Sequence, residues 1–163
     1  MIDEGHHAAC VEAWLTRSAA ASSPETLLRL FEAALGAIWL RTKTTLGEVT
    51  LTAIAERVLH NASEKFSLLW SLKVEPAAGI QCRELRERIG SVPPTELLGA
   101  VRFVLVELLT VLGSLTAEIL TPELHAELYN VSLPGPIRVG QDLPRQSSDS
   151  AGVASGEKKS WRK

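Results

Sequence analysis

Read by its apolar positions, the chain is a succession of helices with three-or-four spacing. Val11, Trp14 and Leu15 mark a first helix over about 8–21. Ser22-Ser23-Pro24-Glu25 then carries a start signal, in which Ser22 can cap, Pro24 suits the first turn and Glu25 completes a capping box. Leu28, Phe31, Leu35 and Ile38 follow at helical steps, with Leu27, Ala34 and Trp39 widening the stripe, and predict an amphipathic helix to about residue 41. Thr45-Leu46-Gly47-Glu48 repeats the capping pattern. The next helix is predicted to about residue 72 along Leu51, Ile54, Val58, Ala62, Phe66 and Leu69, with Glu56, Arg57, His60, Glu64, Ser67 and Ser71 on its wet side.

Pro76-Ala77-Ala78-Gly79 breaks the pattern. A short helix is expected after it, with Cys82, Leu85 and Ile89 inward, an outward charge run from Arg83 to Arg88, and Gly90 as its stop. The strongest signal comes next, over about 95–120. Leu98, Val101, Leu105, Leu108, Leu112, Leu115 and Ile119 alternate steps of three and four without a miss, which is a heptad seam. Leu97, Val104 and Val111, with Phe103, Val106 and Leu109, make this helix apolar nearly all round, so it needs neighbours on several sides or a second subunit. Thr121-Pro122-Glu123 restarts a short helix carrying Leu124 and Leu128. From Ser132 the chain turns rich in Pro, Gly and Ser and cannot sustain a core. The expectation is an all-α bundle of about five to six helices around one long central apolar helix. It comprises an N-terminal helical segment at 1–22, a bundle core at 23–131 and a disordered tail at 132–163.

Bulk properties narrow the function classes. The chain has 163 residues, enough to bury a core without a disulfide or metal staple. Its formal net charge of -2, with acids and bases interspersed, provides no basic face for nucleic acid. The one basic cluster is the terminal Glu157-Lys158-Lys159-Ser160-Trp161-Arg162-Lys163. Cys10 and Cys82 form no CxxC pair and are expected as reduced thiols. The acidic start lacks a signal-peptide pattern, and the run from Phe103 to Ala117 is interrupted by Glu107, so a cytoplasmic chain without a membrane span is expected.

Catalytic templates are missing: the glycines form no phosphate loop, and there is no HExxH or paired Cys set. No cofactor and no metal are expected. His6 and His7 fall near Asp3, Glu4 and Cys10 at an end expected to fray. His125 has Glu118, Glu123 and Glu127 as sequence neighbours, but the Glu-x-x-His spacing of di-metal bundles occurs only from Glu4 to His7. Glu107 would be costly to bury unpaired, so it is expected either in a partly open groove or beside a cation such as Arg102 or Arg57. Trp14, Trp39 and Trp70 lie on or beside apolar faces, as core or interface anchors do.

His60 is the candidate nucleophile. Glu56 and Glu64 stand one turn to either side, and a carboxylate at i+4 can hold one imidazole nitrogen while the other stays open. The stretch from Arg57 to Phe66 resembles the histidine-bearing helix of dimeric bacterial phosphotransfer modules, departing from it at Asn61, where those modules place an acid. The resemblance implies a phosphoacceptor at His60 supported by Glu64. A solvated i,i+4 pair accounts for the same spacing. Together these features favour a non-catalytic module for protein–protein contact, regulatory or signalling in role, as a homodimer or with another helical protein. The alternatives are histidine phosphotransfer through His60 and a small-molecule sensor with an inter-helix pocket near Glu107.

Overall fold

The structure, a computed structural model, describes residues 4–19 and 23–132; the Ser22 cap and the tail expected after Ser132 lie outside them. Among the described residues there are six helices: α1 (Glu4–Ala19), α2 (Pro24–Leu46), α3 (Glu48–Lys65), α4 (Arg83–Glu87), α5 (Pro94–Leu115) and α6 (Thr121–Asn130). Two 3-10 turns, Ser67–Ser71 and Ile89–Ser91, and a hairpin of β1 (Lys73–Glu75) and β2 (Gly79–Gln81) connect them. The fold is all-α with one long apolar helix at its centre.

α5 organises the rest. Between Glu96 and Gly113 not one of its residues is exposed, and α1, α2, α3 and α6 pack around it. Length and mean hydropathy (1.9) would let α5 cross a membrane, although its sequence falls short of an uninterrupted apolar run; half of its most apolar window is buried in the bundle. The core of a soluble protein passes the same test. Of the predicted seam, Val101, Leu105, Leu108 and Leu112 are buried and Leu98 half-buried, all within this one chain. Leu115 and Ile119 are instead exposed, because the helix ends at Leu115 rather than near residue 120.

The remaining boundary differences have local causes. Ser23 caps α2: its side chain accepts from the Thr26 N–H at 3.2 Å. α2 continues past Arg41 because Thr42 is buried and turns its hydroxyl back on the Ile38 carbonyl at 2.7 Å, leaving nothing polar to expose. The Thr45–Glu48 box therefore caps nothing. Gly47, at φ +82, ends α2 and begins α3 in a single residue. α3 stops at Lys65, and a 3-10 turn carries the chain to Ser71. Phe66, Leu69 and Leu72 keep a spacing of three, which suits a 3-10 turn and mimics the continuation of an α-helix.

The Pro76–Gly79 break is a hairpin loop, with Lys73 opposite Gln81 and Val74 opposite Ile80. Strands of three residues leave too short an alternation to read from sequence. Gly79 has φ +87, and a Cβ there would stand 2.9 Å from Cδ2 of Trp39, so the hairpin rests on the indole face. The charge run from Arg83 to Arg88 is exposed, with Cys82, Leu85 and Ile89 inward as predicted.

Truncation along the α5 seam should separate its two ends. Leu105→Ala, at a site 0% exposed, is expected to cost about 2–5 kcal/mol in urea unfolding. Ile119→Ala, 75% exposed, should stay within about 0.5 kcal/mol. Equal effects would contradict the placement of the core.

Candidate functional site

Two places concentrate chemistry. The first is the wet side of α3. His60 and Glu64 are both about two-thirds exposed, with His60 Nε2 3.7 Å from Glu64 Oε2, so the i,i+4 pair forms. His60 also lines a groove of about 470 Å³ between α3, the 3-10 turn and β1, together with Glu56, Leu59, Ser63, Leu69, Trp70, Leu72, Lys73 and Val74. Trp70 stands at this groove with 68% of its surface exposed, unlike Trp14 and Trp39, which are core residues.

Glu107 faces α3 but not this groove. It is half-buried and accepts from the Asn61 side-chain amide at 3.3 Å. The cation expected beside it is engaged elsewhere: Arg102 Nε lies 2.6 Å from Glu12 Oε2 on α1. Asn61, read as a departure from the phosphotransfer pattern, is thus a tie between α3 and α5 that satisfies a carboxylate without a full charge pair.

The second place lies between α1 and α6. His7 is 1% exposed rather than frayed, with Nδ1 3.0 Å from Nε2 of His125 and Nε2 3.6 Å from the Glu118 carboxylate. His6 stacks on His125, ring centroids 5.0 Å apart and nearly parallel. The turn after α5 supplies Glu118. Ala117 and Glu118 both take left-handed φ (+51 and +64), and the Glu118 N–H donates to the Gly113 carbonyl at 2.7 Å, closing the helix end. Thr121 donates its hydroxyl to Glu118 Oε2. Gly113 leaves room for that carboxylate, since a Cβ there would come within 2.6 Å of Oε2.

Burial, then the neighbouring His7 and His6, pull the His125 imidazole below its ordinary value, and Glu118 opposes them. Among the described residues no three His, Cys, Asp or Glu side chains are placed to hold a metal ion. Of the predicted neighbours of His125, Glu118 joins the cluster, whereas Glu123 pairs with Arg41 on α2, its Oε2 2.8 Å from Nε. The sequence did hold a signal for His7: it stands four residues before Val11 and seven before Trp14, on the stripe that defines α1.

The cysteines are structural. Burial pushes the Cys82 thiol up to about 12, with Glu32 adding to the rise and Arg86 opposing it, and burial also raises Cys10. A raised value means less thiolate at neutral pH, so alkylation near pH 8 should reach Cys10 first and spare Cys82 until the chain unfolds. Prompt labelling of Cys82 in native protein would contradict its burial.

Comparison with protein families, with characterised proteins and with solved structures finds no match to this chain.

Proposed function

We propose that the chain is a non-catalytic regulatory module that works through protein–protein contact, pairing with a second copy of itself across the Trp70 groove. The observation that carries this reading is the 68% exposure of Trp70 beside a groove with apolar and charged walls. A Trp at the centre of a contact is among the side chains that contribute most when desolvated. The walls carry both signs: Glu56 and His60 come from α3, and Lys73 from β1. A two-fold contact needs a self-complementary surface, and here Lys73, which within one copy pairs with Glu84 at 3.0 Å, can exchange that partner for Glu56 of the other. The α5 seam is not available for this purpose, since its central residues are packed inside the chain's own core.

Light scattering on the eluting protein at micromolar concentration is expected to give twice the chain mass. Trp70→Ala should weaken self-association at least about thirtyfold, or ~2 kcal/mol. A monomer at that concentration would overturn the reading.

One observation favours a second reading. His60 is exposed, with one ring nitrogen beside Glu64, as a phosphoacceptor requires. In this reading the imidazole lone pair attacks phosphorus in acetyl phosphate, forming an N–P bond as the acyl O–P bond breaks and acetate leaves. Acid-labile phosphate should then appear on the chain and vanish in His60→Gln; its absence from the unaltered chain excludes this role.

A further inference from the structure

We propose that the Lys73–Glu84 ion pair is a built-in restraint on self-association, released only by a partner that brings an acid where a second copy brings Glu56. Such a restraint rests on the self-pairing across the Trp70 groove proposed above, and it makes that pairing both adjustable and selective. Lys73 opens β1 and lines two neighbouring grooves, one with Glu56, His60 and Trp70, the other with Arg83 and Glu84 of α4. Within one copy its ammonium belongs to the second groove, with Nζ 3.0 Å from Glu84 Oε1. In the Trp70 groove His60 has Glu64 at 3.7 Å, whereas among the described residues Glu56 enters no ion pair. Each copy therefore carries one acid without a cation and one cation held by a neighbouring acid. A two-fold axis satisfies both at once, since Lys73 of each copy meets Glu56 of the other. A partner lacking that acid and base at the same spacing leaves Lys73 with Glu84.

The exchange needs a side chain to turn, not a strand to move. Val74 stays paired with Ile80, and Gly79 keeps the hairpin on the Trp39 indole. The Lys73 and Glu84 side chains are 73% and 50% exposed, so their attraction is screened by water and weak enough to be given up. The Lys stem is flexible, which lets the ammonium swing from one groove to the other. Beside Trp70 in a closed contact, water leaves and the new pair gains on the old one. Glu84, half exposed, is then left to solvent rather than stranded in a core. One ion pair is traded for another at each end of the two-fold. Glu84 thus opposes association twice, once in each copy.

Light scattering over a dilution series of the full chain tests this with three variants. Glu84→Gln should tighten association by about two- to tenfold, because two weak surface pairs no longer have to be broken. Glu56→Lys and Lys73→Glu each set like charges together at both ends of the contact, and each alone should weaken association by at least about tenfold. An equimolar mixture of those two restores an acid opposite a base at both ends and should regain the dimer mass. Unchanged or weaker association in Glu84→Gln overturns the restraint. So does a mixture no tighter than its components; in both cases dimerisation of the unaltered chain and its loss in Trp70→Ala leave the self-pairing itself standing. A monomeric unaltered chain overturns the pairing and the restraint together. If either charge-reversed variant loses helix by circular dichroism, Glu84→Gln alone decides.

Discussion

The structure depends on covering α5. α5 leaves no residue fully exposed from Glu96 to Gly113, with Arg102, Phe103, Val106, Glu107, Thr110 and Val111 as a half-buried stripe, and each Leu or Val it buries elsewhere contributes roughly 1.5–3 kcal/mol only while a neighbour excludes water. Four helices share that task, and each does so with an apolar stripe of its own. The polar groups on α5 then fix how those helices sit. Glu107 accepts from Asn61, which ties α3, and Arg102 meets Glu12, which ties α1. A helix apolar on all sides specifies little about register by itself. The part-buried Asn61–Glu107 contact supplies specificity, because a shifted α3 would leave the Glu107 carboxylate partly desolvated without a partner, while the exposed Arg102–Glu12 pair adds little.

The end of α5 and the histidine cluster are one construction. Two consecutive left-handed residues, Ala117 and Glu118, stop the helix at a cost of about 1–2 kcal/mol each. That strain turns the chain back so that α6 runs against α1 and α2. It also folds the Glu118 carboxylate onto Gly113 and into contact with His7 and Thr121. The residues that terminate the central helix are therefore the ones that place a charge beside two coupled imidazoles.

The core of this arrangement was legible in the sequence, since Val101, Leu105, Leu108 and Leu112 keep their period and are buried. The helix end was not, because Leu115, Ile119 and Leu120 continue the apolar pattern, and neither Ala117 nor Glu118 announces a left-handed turn as glycine would. The hairpin was hidden by its three-residue strands and by a 3-10 turn that imitates a helix. Of the chemistry, the His60–Glu64 pair was legible as a local spacing. The His7–His125 contact was not, because it is made by two residues at opposite ends of the bundle sequence. Acidic neighbours near the start also masked the place of His7 on the α1 stripe.

The central claim, that α5 is covered by its own chain, is tested most directly by amide exchange of protein prepared without detergent or lipid. The account predicts that the amides from Val101 to Leu112 are the slowest in the chain and exchange only through global unfolding. Rapid exchange across that segment, with protection gained only on adding a bilayer or detergent, would contradict it.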